Sequence, residues 1–208
     1  SRYKSSFFAG CGKTEPDPLF LSAYRINKGM IKSNLTLRLI IAIWAISLLP
    51  ACQPPSEDLV VEPFKVIGLT VISSLQDQQN TTDIGIFWGQ LYAQKIMDRI
   101  PNKLSNDVYI VYTDYANNPD EGFRIIMGAK VSTLDSIPGG LTGRTIGGGN
   151  YKKFIAHGQM PNAINTLWSQ IRLMDTSRLN RDYRSDFEVY GRDRSSPDAE
   201  VGVFISVK

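Results

Sequence analysis

The chain has 208 residues, 42% of them hydrophobic and 10% aromatic, which suits one globular domain with a buried core and excludes a disordered or fibrous chain. Its formal charge of +3 is unevenly spread: residues 1–51 carry 7 Lys/Arg against 2 Asp/Glu, a net +5, and residues 52–208 carry 16 against 18, a net −2. The part long enough to fold therefore lacks the basic face that neutralises phosphates, so nucleic acid is not an expected partner.

Residues 30–52 read "MIKSNLTLRLIIAIWAISLLPAC", with Lys32 and Arg38 ahead of an apolar run from Leu39 to Leu49 and then Pro50, Ala51 and Cys52. A basic start, an apolar middle and a small-residue exit make the pattern of an export signal over 30–51. The run has 11 residues, short of the roughly 20 that a membrane-spanning helix needs. Met30 stands where a start methionine belongs, so residues 1–29 are expected to be an extension upstream of the true start. The ending "LPAC" resembles the lipobox of bacterial lipoproteins, which implies a lipidated Cys52, a membrane partner reached through that anchor, and sorting to the outer membrane because Gln53 follows. Residues 52–61 then form a polar, proline-stiffened tether. No cysteine follows Cys52, so no disulfide framework is expected in the exported part.

From residue 62 the pattern becomes regular. "FKVIGLTVISSL" is rich in β-branched residues and predicts a strand. In "TTDIGIFWGQLYAQKIMDRI", Ile84, Phe87, Trp88, Leu91 and Tyr92 recur at helical spacing, Thr82 or Asp83 is placed to cap, and Pro101 ends the helix. The strands "DVYIVYTDY" and "FRIIMGAKVS" follow, joined by the turn formers "ANNPDEG" over 116–122. After a glycine-rich link, "SIPGGLTGRTIGGG", the order repeats. "NYKKFIAHG" predicts a strand, "MPNAINTLWSQIRLMD" a helix with Ile164, Leu167, Trp168 and Ile171 on its apolar face, and "SDFEVYG" and "AEVGVFISV" two further strands. The fold class expected is α+β: duplicated strand-helix-strand-strand units, about 62–134 and 150–208, forming an antiparallel sheet with two helices and a cleft between the repeats.

The motifs "GLTVISS", "TTDIGIFWGQLYAQ", "IPNKLSNDVYIVYTDY", "FRIIMGAKVS", "DFEVYG" and "VGVFISV" resemble, in order, the GyrI-like or effector-binding domain, particularly its branch associated with integron gene cassettes. The resemblance covers about residues 62–208 and implies binding of hydrophobic, often cationic, small molecules between the repeats. Relatives fused to DNA-binding partners sense drugs, but no helix-turn-helix candidate is present here.

Glu188 matches the acidic pocket position of that family, in its penultimate strand. Period-two alternation puts Asp186, Glu188 and Tyr190 on one face and Phe187 and Val189 on the other. Trp88 and Tyr92 are four apart on one helix, Trp168 occupies the corresponding helix of the second repeat, and Tyr112 is the strand aromatic chosen for the cleft. By the same alternation Tyr109 and Tyr115 lie opposite Tyr112, while Phe154 and Phe204 read as core. His157 is the only histidine, so no triad or zinc site assembles around it. "GGGN" lacks the Lys-Ser/Thr of a phosphate loop, and "RLNRDYRSD" reads as a solvated loop. No catalytic residue, metal or cofactor is expected. The function expected is that of an envelope-anchored, non-enzymatic protein capturing amphipathic cations. A hydrolase of strained cyclic compounds, with Glu188 and Tyr112 as base and acid, is the alternative from another class. A protein-interaction module with a closed cleft is the third.

Overall fold

A computed structural model describes residues 53–116, 120–174 and 179–208, and Pro54–Lys208 form a compact unit. The export signal, Cys52 and part of the turn expected over 116–122 lie outside the described residues. Eight strands form one sheet: β1 (Ser56–Val61), β2 (Phe64–Ser73), β3 (Val108–Thr113), β4 (Phe123–Val131), β5 (Thr142–Ile146), β6 (Gly149–His157), β7 (Ser185–Tyr190) and β8 (Glu200–Ser206). Among the described residues three α-helices join them: α1 (Gln79–Ala93), α2 (Ile96–Arg99) and α3 (Asn162–Leu173). All neighbouring strands are antiparallel, in the order β1-β6-β8-β7-β3-β4-β2-β5. The class is α+β, as expected from the sequence pattern.

The order shows how two similar halves meet. β2-α1-β3-β4 and β6-α3-β7-β8 share one element sequence, and within each half the third, fourth and first elements stand side by side. Their join is the β3·β7 pair, with Ile110 opposite Glu188 and Tyr112 opposite Asp186. α1 lies against β2 and α3 against β6, both on the face that carries Ile67, Met127, Val203 and Ile205. Phe87 and Leu91 of α1 and Ile164, Leu167 and Ile171 of α3 are buried there. Burying each such side chain is worth about 1.5–3 kcal/mol, which fixes the helices against the sheet. A second cluster built on Phe64, Val66, Val111, Ile126, Ile146, Tyr151 and Phe187 occupies the other face.

Two strands were not expected. In the stretch expected to be a tether over 52–61, Ser56–Val61 form β1, and within the glycine-rich link Thr142–Ile146 form β5. β1 carries acids where β6 carries bases: Glu57 pairs in register with Lys153 and Asp58 with Lys152, with Lys152 Nζ 2.5 Å from Asp58. Only Leu59 and Val61 of β1 turn toward the core, too few for alternation to reveal a strand. α1 also starts earlier than expected, at Gln79, and neither Thr82 nor Asp83 caps it. Asp83 instead accepts bonds from Ser73 Oγ at 2.6 Å and Gln79 Nε2 at 2.8 Å, which ties the helix to the end of β2. Lys95, with φ 49°, breaks the expected long helix between α1 and α2.

Gly68 and Gly128 face each other across β2 and β4. A Cβ added at Gly128 would lie 2.0 Å from Ile67 O, and one at Gly68 would lie 2.2 Å from Met127 O. The two backbones therefore approach where no side chain fits. Gly128→Ala is expected to destabilise the fold by about 1–3 kcal/mol, measured as a lowered urea midpoint with an unchanged slope. An unchanged midpoint would refute the close approach.

Candidate functional site

The β3·β7 join sets aromatic and acidic side chains between α1 and α3. There they line a cleft of about 1020 Å³ whose walls include Trp88 and Tyr92 from α1 and Trp168 from α3. Tyr112, Glu188 and Tyr190 of the central strands line it as well. All six residues singled out for the ligand are thus brought to one cavity. Trp88 meets Tyr190 edge-on at 5.1 Å and stacks on Tyr92 at 5.9 Å, while Tyr112 meets Trp168 edge-on at 5.5 Å. Tyr92 is the outermost, with 56% exposure.

Glu188 is 2% exposed, although a carboxylate in a strand more commonly faces solvent. Its Oε1 accepts hydrogen bonds from Tyr112 OH at 2.7 Å and Trp168 Nε1 at 2.5 Å, and its Oε2 accepts one from Tyr190 OH at 2.7 Å. Both repeats contribute donors. Burial pushes the Glu188 carboxyl above its ordinary value, and the bonds from Tyr190, Tyr112 and Trp168 pull in the opposite direction without cancelling it. Burial, and after it the charge of Glu188, pushes the Tyr112 and Tyr190 hydroxyls well above 10, so both remain donors at neutral pH. Among the described residues no Lys or Arg forms an ion pair with Glu188.

Two residues escaped the sequence reading. Tyr115 was set opposite Tyr112 by alternation, yet both line the cleft, because β3 ends at Thr113 and Asp114 takes a left-handed φ of 52° that resets the alternation. Tyr109, on the strand proper, does lie on the other face, against Phe64 and Phe187. The loop expected to be solvated supplies Arg181, which lines the cleft and pairs with the fully buried Asp186. The signal was present in the alternation itself: an acid sharing the inward face of Glu188 needs a counter-charge, and the nearest bases are in that loop. Phe154 is core, as expected, and Phe204 packs partly buried against the second cluster. His157 is exposed at the end of β6, and among the described residues no group of three His, Cys, Asp or Glu is placed to hold a metal ion. A second cavity of about 550 Å³, between β1, β6 and the chain's end, has the exposed Lys152–Asp58 pair in its wall and no buried carboxylate.

No curated protein matches the chain. Among solved structures, an integron cassette protein from the mobile metagenome of Vibrio cholerae is 24% identical, over 74% of this chain and 95% of its own, with a TM-score of 0.59. The protein SAV2435, solved bound to tetraphenylphosphonium, is 14% identical over 74% of this chain and 94% of its own, with a TM-score of 0.63. A putative bacterial transcription regulation protein from Staphylococcus aureus MU50 is 15% identical over 74% and 99%, with a TM-score of 0.59. At these identities the likeness is one of fold. The family described as integron-associated effector binding protein matches residues 60–207, from the end of β1 to the last residues of the chain, and the protein belongs to that family.

Proposed function

We propose that this effector-binding protein takes up hydrophobic, cationic small molecules in the cleft, with Glu188 as their counter-charge. The observation that carries the reading is a carboxylate at 2% exposure, held by three neutral donors and, among the described residues, by no cation, on the floor of an aromatic cavity. Such a group is costly while unpaired and attracts a cation that arrives already partly stripped of water. Aromatic faces add cation–π attraction of about 0.5–2 kcal/mol each. The complex of SAV2435 with tetraphenylphosphonium, a lipophilic cation, supports the same ligand class on the same fold.

The hydrolase alternative has its geometry, since Tyr112 OH lies 2.7 Å from Glu188. Its chemistry is less favoured, because an acid that must give up a proton near pH 7 is badly served by a hydroxyl pushed well above 10. The binding reading needs no proton from Tyr112. For the compartment, the basic start, apolar run and Cys52 of residues 30–52 support an anchor: we propose a lipid-anchored envelope protein that presents the cleft to the periplasm.

Tetraphenylphosphonium is expected to quench the tryptophan fluorescence of the purified protein, because two of its three tryptophans line the cleft. Glu188→Gln is expected to weaken that binding at least about tenfold, or ~1.4 kcal/mol, and equal affinity in the variant would overturn the cation site. The ligand's charge does not titrate, so pH reports on the protein. Binding is expected to be full above the raised Glu188 value and to fall away as pH drops through it, with no such loss in Glu188→Gln. Ligand-free stability runs the other way. A carboxyl whose folded value is raised contributes stability that is fully present below 4.5 and lost as pH rises through the folded value. Urea unfolding across that range is expected to show the slope in the native protein and a flatter profile in Glu188→Gln. Incorporation of labelled fatty acid in a bacterial host is expected to disappear in Cys52→Ala, and labelling that persists would refute the anchor.

A further inference from the structure

The cleft wall holds a second charged group beside Glu188, and its hydrogen-bond capacity is not used up. Asp186 and Glu188 are two residues apart on one face of β7, about 7 Å along the strand. Their surroundings differ sharply. Asp186 Oδ1 accepts from Ser206 N at 2.8 Å and Ser206 Oγ at 3.2 Å, and its Oδ2 accepts from Tyr115 OH at 2.7 Å and from Arg181 Nη2. Those four bonds fill the acceptor sites of a carboxylate, so Asp186 has nothing to offer a ligand. Glu188 accepts three and keeps one site open on Oε2.

Arg181 is the reverse case. It gives one N–H to Asp186 and stacks its guanidinium 4.4 Å over the Tyr183 ring, while its Nε is buried with no hydrogen-bond partner. A buried donor left unmade costs about 1–3 kcal/mol, so Asp186 does not by itself satisfy the guanidinium. The side chain keeps 15% exposure and lines the cleft, so a molecule inside can reach the guanidinium. The charge of the wall agrees, because Arg172, Arg181 and Arg194 line the cavity against Glu188 and Asp120. A plain monocation meets that wall with no anionic group to offer it.

We infer that the cleft is a two-point site whose ligand carries, besides its cation for Glu188, a hydrogen-bond acceptor of the carboxylate or carbonyl class for Arg181, making it a polar-ended or zwitterionic amphiphile. The inference rests on the cation-site reading of Glu188 and specifies the other end of the ligand. Arg181 acts as a binding residue, and its bond to Asp186 and its stacking on Tyr183 hold it in place.

The test compares tetraphenylphosphonium with (4-carboxyphenyl)triphenylphosphonium and the methyl ester of the latter, by fluorescence titration of the full chain. The carboxylate is expected to bind about tenfold tighter than tetraphenylphosphonium, as befits a charge-assisted bond. The ester separates the two acceptor classes: binding as tight as the acid assigns a carbonyl, and binding weaker than the acid assigns a carboxylate. Arg181→Lys keeps a charge for Asp186 and removes the planar fork. It is expected to bring the ratio of carboxylate to parent affinity close to one. The native ratio alone decides the matter if the variant does not fold: a ratio at or below one for both acceptor-bearing probes overturns the acceptor site. A preference that survives intact in folded Arg181→Lys overturns the role of Arg181. Absent binding of tetraphenylphosphonium, or binding undiminished in Glu188→Gln, overturns the cation site and this inference together.

Discussion

The structure depends on one buried carboxylate and the strand pairing that buries it. β3 and β7 come from different repeats, and their register sets Glu188 opposite Ile110 at the centre of the sheet, away from either edge. A carboxylate taken so far from water has to be satisfied by donors or be neutral. The donors come from three separate elements: Tyr112 of β3, Trp168 of α3 and Tyr190 of β7. The joining of the halves is therefore also the assembly of the site. Neither half holds the carboxylate and all its donors.

Duplication explains why a cleft exists at this position. Each half packs its own helix on its own outer strand, α1 on β2 and α3 on β6, and these strands flank the β3·β7 centre on opposite sides. The central strands are left without a helix directly over them. Residues there must be buried by other side chains, and aromatic rings are large enough to do this from the sides while leaving volume between them. The edge-on contacts of Trp88 with Tyr190 and of Tyr112 with Trp168 are the two matching walls, one from each side of the join.

Much of this was legible in the sequence, and the parts that were not have identifiable causes. The two helices and six of the strands follow from helical spacing and alternation, because each buries a continuous apolar face. β1 and β5 are edge strands held by one neighbour each, and they present only two or one inward apolar residues, so neither produces a pattern. At the site, Glu188, Tyr190 and the helix aromatics obey the periodicity of their elements. Tyr115 does not, since the left-handed Asp114 breaks the period one residue before it. Arg181 lies in a loop with no period at all. Its position follows from charge: it is the guanidinium that an inward Asp186 requires.

The contrast between Asp186 and Glu188 separates scaffold from site on physical grounds. The two acids share a strand face and both are essentially buried, yet one is given a guanidinium, a phenol and a backbone N–H, and the other only neutral donors. Burial lowers the Arg181 value, and Asp186, Tyr115 and Tyr183 together more than offset it, so that it rises as in a settled ion pair. Glu188 is held above its ordinary value instead, because burial outweighs the hydrogen bonds from Tyr190, Tyr112 and Trp168. A protein selected for stability alone would treat both acids alike or replace them. Glu188 instead lies in an aromatic cavity that Arg181, with its unpartnered Nε, also lines, and among the described residues no cation forms an ion pair with it.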